Sequence, residues 1–329
     1  MEISFYVATI AEDLKIASSQ VEAVVKLLDE GATVPFIARY RKEATGSLDE
    51  VQITEVRDRL QAAVELDQRR AAILKSLDER KLLSDELKKR VAAAETMARL
   101  EDIFAPFRPK RRTRAMIAME KGLEPLADWL VEHQSDGEAD PAKEAVKFLS
   151  AEEEKEVESA EDALQGARDI IAERVSDDAD LRGGVRKLYE EEGVASSRVM
   201  TGKEENPEAA KFRDYFDWSG QLTDVPSHRM LAVRRGEKEG VLMLRIKIDE
   251  ERGFGLARRT FLSGSCDTPA ANQIAEAVTD GCKRLLFPSM ETEMRLNSKK
   301  EADEVAIQVL ADNLRELLMS WPLGRKRVL

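Results

Sequence analysis

Apolar residues recur at helical spacing along most of this chain. Val21, Val24, Val25 and Leu28 fall on one face of an early helix, because positions three and four apart share a side. Gly31 follows its acidic end and is placed to cap it. Ser47-Leu-Asp-Glu50 reads as a capping box. It opens a long pattern with Ile53, Val56, Leu60 and Val64 on one face, carried on by Ala72, Ile73 and Leu77. Ser84 starts another helix, with Asp85 and Glu86 complementing the positive end of its dipole. Gly122 and Pro125 punctuate a start before Leu126, Trp129 and Leu130. Asp140-Pro141 reads as an N-cap followed by proline at the first helical position. A helical stripe resumes over 163–175, and Gly183-Gly184 marks a turn or a weak point within a helix.

The character changes near Gly193, where glycine and proline become more frequent. Val241-Leu-Met-Leu-Arg-Ile-Lys-Ile248 ends in period-two alternation and is the best strand candidate. Thr268-Pro269 begins a long helix with Ile274, Val278 and Leu285 on one side, and Pro288 is expected to end it. Ala306, Leu310, Leu314 and Leu317 form the stripe of a final strong helix. No fixed-period repeat is visible. The pattern predicts a mainly α, multi-helix assembly with one small strand-containing element between about residues 194 and 266.

Composition sharpens this picture. A length of 329 residues suits about two ordinary domains. Aromatic residues make up only 5% and charged residues 35%, the profile of many solvated helices that each carry one apolar stripe. The net charge of −12 argues against a general polyanion-binding surface. It leaves room for a local basic site, because exposed charges more than roughly 8–10 Å apart are largely screened. The acidic stretch 152–162 reads as a solvated helix or a charged linker.

No apolar run is long enough to span a bilayer. The start, Met1-Glu-Ile-Ser-Phe5, lacks the basic and apolar regions of a secretory signal. A cytoplasmic protein without membrane attachment is the simplest expectation.

Enzyme chemistry finds little support. Phosphate-cradling glycine loops, dinucleotide loops and nucleophile elbows are all missing from the sequence. Cys266, Cys282, His133 and His228 are the only cysteines and histidines, and their spacing does not suit zinc. Cys282 reads as a small buried hydrophobe, His133 as a solvated cation ending a helix, and His228 as a capping or packing residue. The expectation is no enzyme, no metal and no cofactor.

Two basic, turn-like segments remain. They read Val34-Pro-Phe-Ile-Ala-Arg-Tyr-Arg-Lys-Glu-Ala-Thr-Gly-Ser-Leu-Asp-Glu50 and Leu100-Glu-Asp-Ile-Phe-Ala-Pro-Phe-Arg-Pro-Lys-Arg-Arg-Thr-Arg-Ala115. In the second, Arg108, Lys110, Arg111, Arg112 and Arg114 cluster beside Phe104 and Phe107. Guanidinium forks suit phosphate oxygens, and an aromatic ring can stack on a base. In the first, Arg39, Arg41 and Lys42 can meet phosphate, with Tyr40 as a stacking surface. The competing reading is structural. Phe104 and Phe107 would anchor a loop whose arginines pair with local carboxylates, and Phe36 and Ile37 would be core at a turn between helices. A third cluster, Arg229, Arg234, Arg235 and Lys238, is diluted by Glu237 and Glu239.

These residues carry a resemblance. Residues 34–50 and 100–114 resemble signatures of the bacterial Tex family of transcription accessory proteins. Glu120-Lys-Gly-Leu-Glu-Pro-Leu-Ala127, Tyr215-Phe-Asp-Trp218 and Pro226-Ser-His-Arg229 with Arg235-Gly-Glu237 fit as well. So do Arg284-Leu-Leu-Phe-Pro-Ser-Met-Glu291 and Asp312-Asn-Leu-Arg-Glu-Leu-Leu318. Eukaryotic transcription elongation and histone-chaperone proteins share this core architecture. The resemblance implies a cytoplasmic, modular protein that binds nucleic acid, with a helix-turn-helix-like part near its start. It implies a downstream RNase-H-like YqgF domain, helix-hairpin-helix units and an OB-fold RNA-binding domain. Gly324-Arg-Lys-Arg-Val-Leu329 reads as the lead-in to that YqgF domain, so the chain is expected to be a piece truncated before it.

The expected organisation is an N-terminal helical, helix-turn-helix-like region over 1–115 and a helical region over 116–193. A small mixed element over 194–266 follows, then long helices over 267–329. The expected role is a helical scaffold of a transcription accessory factor. RNA or DNA would bind the full-length protein, with secondary phosphate contacts through the eight basic residues of the two segments. The alternative is a module that docks the transcription machinery.

Overall fold

The computed structural model describes residues 3–108, 112–151, 156–204, 206–263, 267–320 and 324. The chain is mainly α and divides into two compact units, Met1–Phe107 and Arg108–Leu329.

The first unit runs α1 (Ile3–Leu14), α2 (Ser18–Asp29), α3 (Val34–Tyr40), α4 (Lys42–Thr45), α5 (Glu50–Glu79), α6 (Asp85–Ala92) and α7 (Met97–Phe104). Val7, Ile10, Val21, Val24, Val25, Ile37, Ile53 and Val56 close a core between α1, α2, α3 and the first half of α5. The far half of α5 buries Ile73 and Leu77, and α6 and α7 pack there with Leu87, Val91, Leu100 and Ile103. Gly31 adopts φ +84° just past α2, the left-handed stop its position suggested.

The start of α5 differs from expectation. Its cap is Asp49, not Ser47. Asp49 accepts from the Gln52 amide at 2.8 Å, and Gln52 Oε1 accepts from the Asp49 amide at 3.1 Å. Ser47 sits at φ +67°, directly after Gly46 at φ +61°. That backbone cannot provide the extended geometry of an N-cap. Gln20 ties the turn to α2 by donating to the Thr45 carbonyl at 2.9 Å.

The second unit runs α8 (Arg114–Glu120), α9 (Glu124–Glu132), α10 (Pro141–Ala145), α11 (Ala160–Asp177) and α12 (Ala179–Glu192). Then come β1 (Val194–Val199), β2 (Asp217–Gln221), α13 (Ser227–Lys238), β3 (Leu242–Lys247), α14 (Glu250–Phe261), α15 (Pro269–Asp280) and α16 (Phe287–Met319). Helix α11 is the hub, packed against α8, α9, α10 and α15. It earns that place through Ala163, Ala167, Ile170, Ile171 and Val175, small and branched residues buried on one broad face.

The strands form one antiparallel sheet in the order β2-β1-β3, with Ala195 opposite Ile246 and Ser197 opposite Leu244. Leu242, Leu244 and Ile246 point inward while Met243, Arg245 and Lys247 point out, the alternation of a strand with one buried face.

Pro288 does not end the long helix. The chain passes from α15 through a π-helical segment, Gly281–Leu286, straight into α16, with Pro288 in its first turn. The widened turn relieves the clash that a proline ring makes with the carbonyl four residues earlier. The same segment shifts the buried face by one residue, so Leu286 is buried and Leu285 only partly so. The stripe of Leu310, Leu314 and Leu317 on α16 faces solvent. No helix among the described residues is long and apolar enough to cross a membrane.

Candidate nucleic-acid interface

Helix α3 is built from a seven-residue sequence whose sides differ sharply. Val34, Ile37 and Ala38 are buried in the core of the first unit. Spacings of three and four put them on one face, which turns Phe36, Arg39 and Tyr40 outward. Phe36 is 44% exposed and Tyr40 69% exposed. Their ring centroids lie 5.5 Å apart with the planes tilted by 42°. The structural reading of Phe36 as core is therefore corrected: Ile37 alone of that pair is buried. The helical wheel of Val34, Ile37 and Ala38 already held that signal.

The chain then turns at Arg41 into α4, which begins with Lys42. Arg41 lies 3.8 Å from Glu43, an exposed pair of the kind that contributes little. Arg39 and Lys42 are exposed and have no ion pair among the described residues. Two exposed rings and three exposed cations thus fall within seven residues, with Glu43 the carboxylate that pairs there.

The second segment is different. Arg108 is exposed and already has an interaction partner. Lys110 and Arg111 lie outside the described residues. Arg112 pairs with Glu120 at the surface. Arg114 opens α8, whose cap Thr113 accepts from the Met116 amide at 3.1 Å and donates to Glu173 at 2.7 Å. Arg114 borders two clefts. One, of about 250 Å³, is lined by Asp169, Glu173, Asp177 and Arg284. The other, of about 390 Å³, includes Glu156, Glu158, Asp162 and Asp169. Carboxylates dominate both walls, which repels phosphate. Phe104 is buried, as an anchor would be, with the Arg69 and Arg80 guanidinium carbons 5.6 and 5.8 Å from its ring centre.

The third cluster is partly neutralised, with Arg229 and Lys238 exposed and without an ion pair among the described residues. Arg234 pairs with Glu237 and Arg235 with Glu239, and Glu237 also meets Arg295. Hydrogen bonds from Lys211 and then Arg235 hold the Glu239 carboxyl below the usual carboxylate range. His133 caps α9, with Nδ1 2.9 Å from the Trp129 carbonyl and its ring stacked on that indole at 4.6 Å. His228 is exposed in the first turn of α13. Cys282 is buried in the π-helical segment, and burial pushes its thiol up to about 12. Cys266 lies outside the described residues.

The arrangement is that of a largely helical chain in two units, the first of which exposes Phe36, Arg39 and Tyr40 on α3. Residues 136–310 match the family described as Tex central region-like, and residues 4–78 match the Tex-like protein N-terminal domain. The chain belongs to the Tex family.

Among similar proteins, Protein tex of Bordetella pertussis is 41% identical over 335 aligned residues, 98% of this chain and 42% of that protein. Transcriptional accessory protein Tex of Neisseria gonorrhoeae is 40% identical, covering 96% of this chain and 41% of that protein. The human S1 RNA-binding domain-containing protein 1 is 24% identical over 91% of this chain and 30% of that protein. The chain spans about two fifths of the length of the bacterial relatives it matches.

Proposed function

We propose that this chain is the helical scaffold of a nucleic-acid-associated transcription accessory factor. In the whole protein it would hold the nucleic-acid modules in a fixed relation. It would add secondary, sequence-independent phosphate contacts of its own, and its helix-turn-helix-like part would belong to the first unit. Membership of a family whose relatives are named as transcriptional accessory and S1 RNA-binding proteins carries this reading. The unpaired Arg39 and Lys42 support α3 as the contacting surface, ahead of the carboxylate-flanked Arg114.

The test is an anisotropy titration of the chain against labelled RNA and duplex DNA across a salt series. Each phosphate contacted contributes roughly −0.7 to −0.9 to the log–log slope. Arg39→Ala with Lys42→Ala should flatten that slope by roughly 1.4 to 1.8. Absence of binding by the wild-type chain at low salt would refute the phosphate contacts.

A second reading has its own observation. Ile307, Leu310, Leu314 and Leu317 are all exposed on the C-terminal half of α16, at spacings of three and four. An apolar stripe of this kind suits a protein partner, as a module docking the transcription machinery would need.

A further inference from the structure

We infer that the outward face of α3 is a stacking site for single-stranded nucleic acid, with Tyr40 and Phe36 as the platform and Arg39 and Lys42 as the phosphate contacts. The inference rests on the nucleic-acid reading above and names the form of strand that this surface takes.

Three observations carry it. The first is the cost of the exposed rings. A tyrosine largely in water and a phenylalanine nearly half in water, one helical turn apart, forgo much of the burial that drives most aromatic placement. The core beneath α3 is closed by Val34, Ile37 and Ala38, and neither ring is counted in it. The second is geometry. Centroids 5.5 Å apart with a 42° tilt leave no slot between the rings to sandwich a base. Each ring would therefore meet a base singly rather than as a clamp. The third is charge. Arg39 lies between Phe36 and Tyr40 in sequence, Lys42 follows within the next turn, and only Glu43 opposes them locally.

These features select a partner by its chemistry. A single strand of nucleic acid repeats a flat π-face and an anion along one flexible backbone. Aromatic platforms flanked by cations are how proteins hold such strands without reading sequence. Duplex DNA satisfies the cations but keeps its bases stacked inside, where rings on a convex helix cannot reach them. An acidic peptide likewise engages the cations and leaves the ring faces unused.

The experiment uses the whole 329-residue chain and a fluorescein-labelled oligo(U) of about 12 nucleotides, a length within the range of single-strand sites. A labelled duplex DNA serves as the comparison. Tyr40→Ala should weaken oligo(U) binding by about tenfold. It should leave duplex binding and the oligo(U) salt slope unchanged, because no phosphate contact is removed. Phe36→Ala should act in the same direction, and Tyr40→Phe should retain binding, because the ring remains. Unchanged thermal melting of these variants shows that the first unit is intact.

If Tyr40→Ala and Phe36→Ala bind oligo(U) as the wild type does, or lose duplex binding equally, the stacking site is overturned while the phosphate surface stands. If the wild-type chain binds neither probe at low salt, the phosphate contacts fail and the stacking site fails with them.

Discussion

Gly281 offers a sharp test of how the second unit is packed. A Cβ placed on Gly281 would lie 2.7 Å from the Ala172 carbonyl oxygen and 3.0 Å from its Cα. Both are backbone atoms of the hub helix α11, and they cannot swing aside as a side chain would. Forcing a methyl group into a filled interior costs about 1–3 kcal/mol, and rigid backbone on the far side argues for the upper end. Against this, replacing a helical glycine by alanine gains about 1 kcal/mol of helix propensity. Gly281→Ala should therefore destabilise by about 2 kcal/mol, or about 4–8 °C in Tm for a unit of this size.

Gly183 supplies the matched control. It lies inside α12, and a Cβ there would meet nothing within 4 Å. Gly183→Ala should stabilise by about 0.5–1 kcal/mol. Thermal and urea unfolding followed by far-ultraviolet circular dichroism would compare the two. A Gly281→Ala protein as stable as Gly183→Ala would refute the close approach of α11 to the π-helical segment.

Arg70 is largely buried, donates to the Val91 carbonyl at 3.2 Å and the Ala94 carbonyl at 2.8 Å, and pairs with Asp67. A lysine lacks the planar fork that serves these partners together, so Arg70→Lys should cost the first unit about 1–3 kcal/mol; urea midpoints unchanged from the wild type would contradict this. The buried thiol of Cys282, held up at about 12, should resist iodoacetamide at pH 8 in the native protein and react readily in urea. Mass spectrometry of the Cys282 peptide decides between protection and labelling at the unfolded rate. Its raised value also has a stability sign. The unfolded thiol ionises first, so the contribution is intact below about 9 and declines as pH rises from there towards about 12.

Much of the helical architecture was legible because caps and apolar spacing agree locally. Ser84, Asp140 and Thr268 each cap the helix their sequence announced. Strand β3 was legible from alternation alone. Strands β1 and β2 were not, because Val194-Ala-Ser-Ser-Arg-Val199 and Asp217-Trp-Ser-Gly-Gln221 are poor in branched residues. Pairing within the sheet, β1 on β3 and β2 on β1, supplies what their propensity lacks.

The π-helical segment was invisible because no residue in Gly281–Leu286 is specific to a widened turn; only the one-residue shift from Leu285 to Leu286 reveals it. In the basic segments the arginines were legible but their surroundings were not. The carboxylates beside Arg114 come from α11 and from residues 156–158, about 40 positions or more away in sequence. At α3 the outward turn of Phe36 followed from its neighbours' spacing, yet aromatic character alone suggested core.

The π-helical segment also sets how this chain tolerates changes of length. A π-helical turn bonds to the fifth residue along and so takes up one residue more than an α-helical turn. The segment 281–286 thus carries an extra residue while Phe287, Met290 and Met294 stay buried on one side of α16. Removing one residue within it would close the turn to an ordinary α-helix and leave that face on the core. Removing one just beyond it, between Phe287 and Met294, meets no widened turn, and at 100° per residue everything that follows would rotate by about that angle.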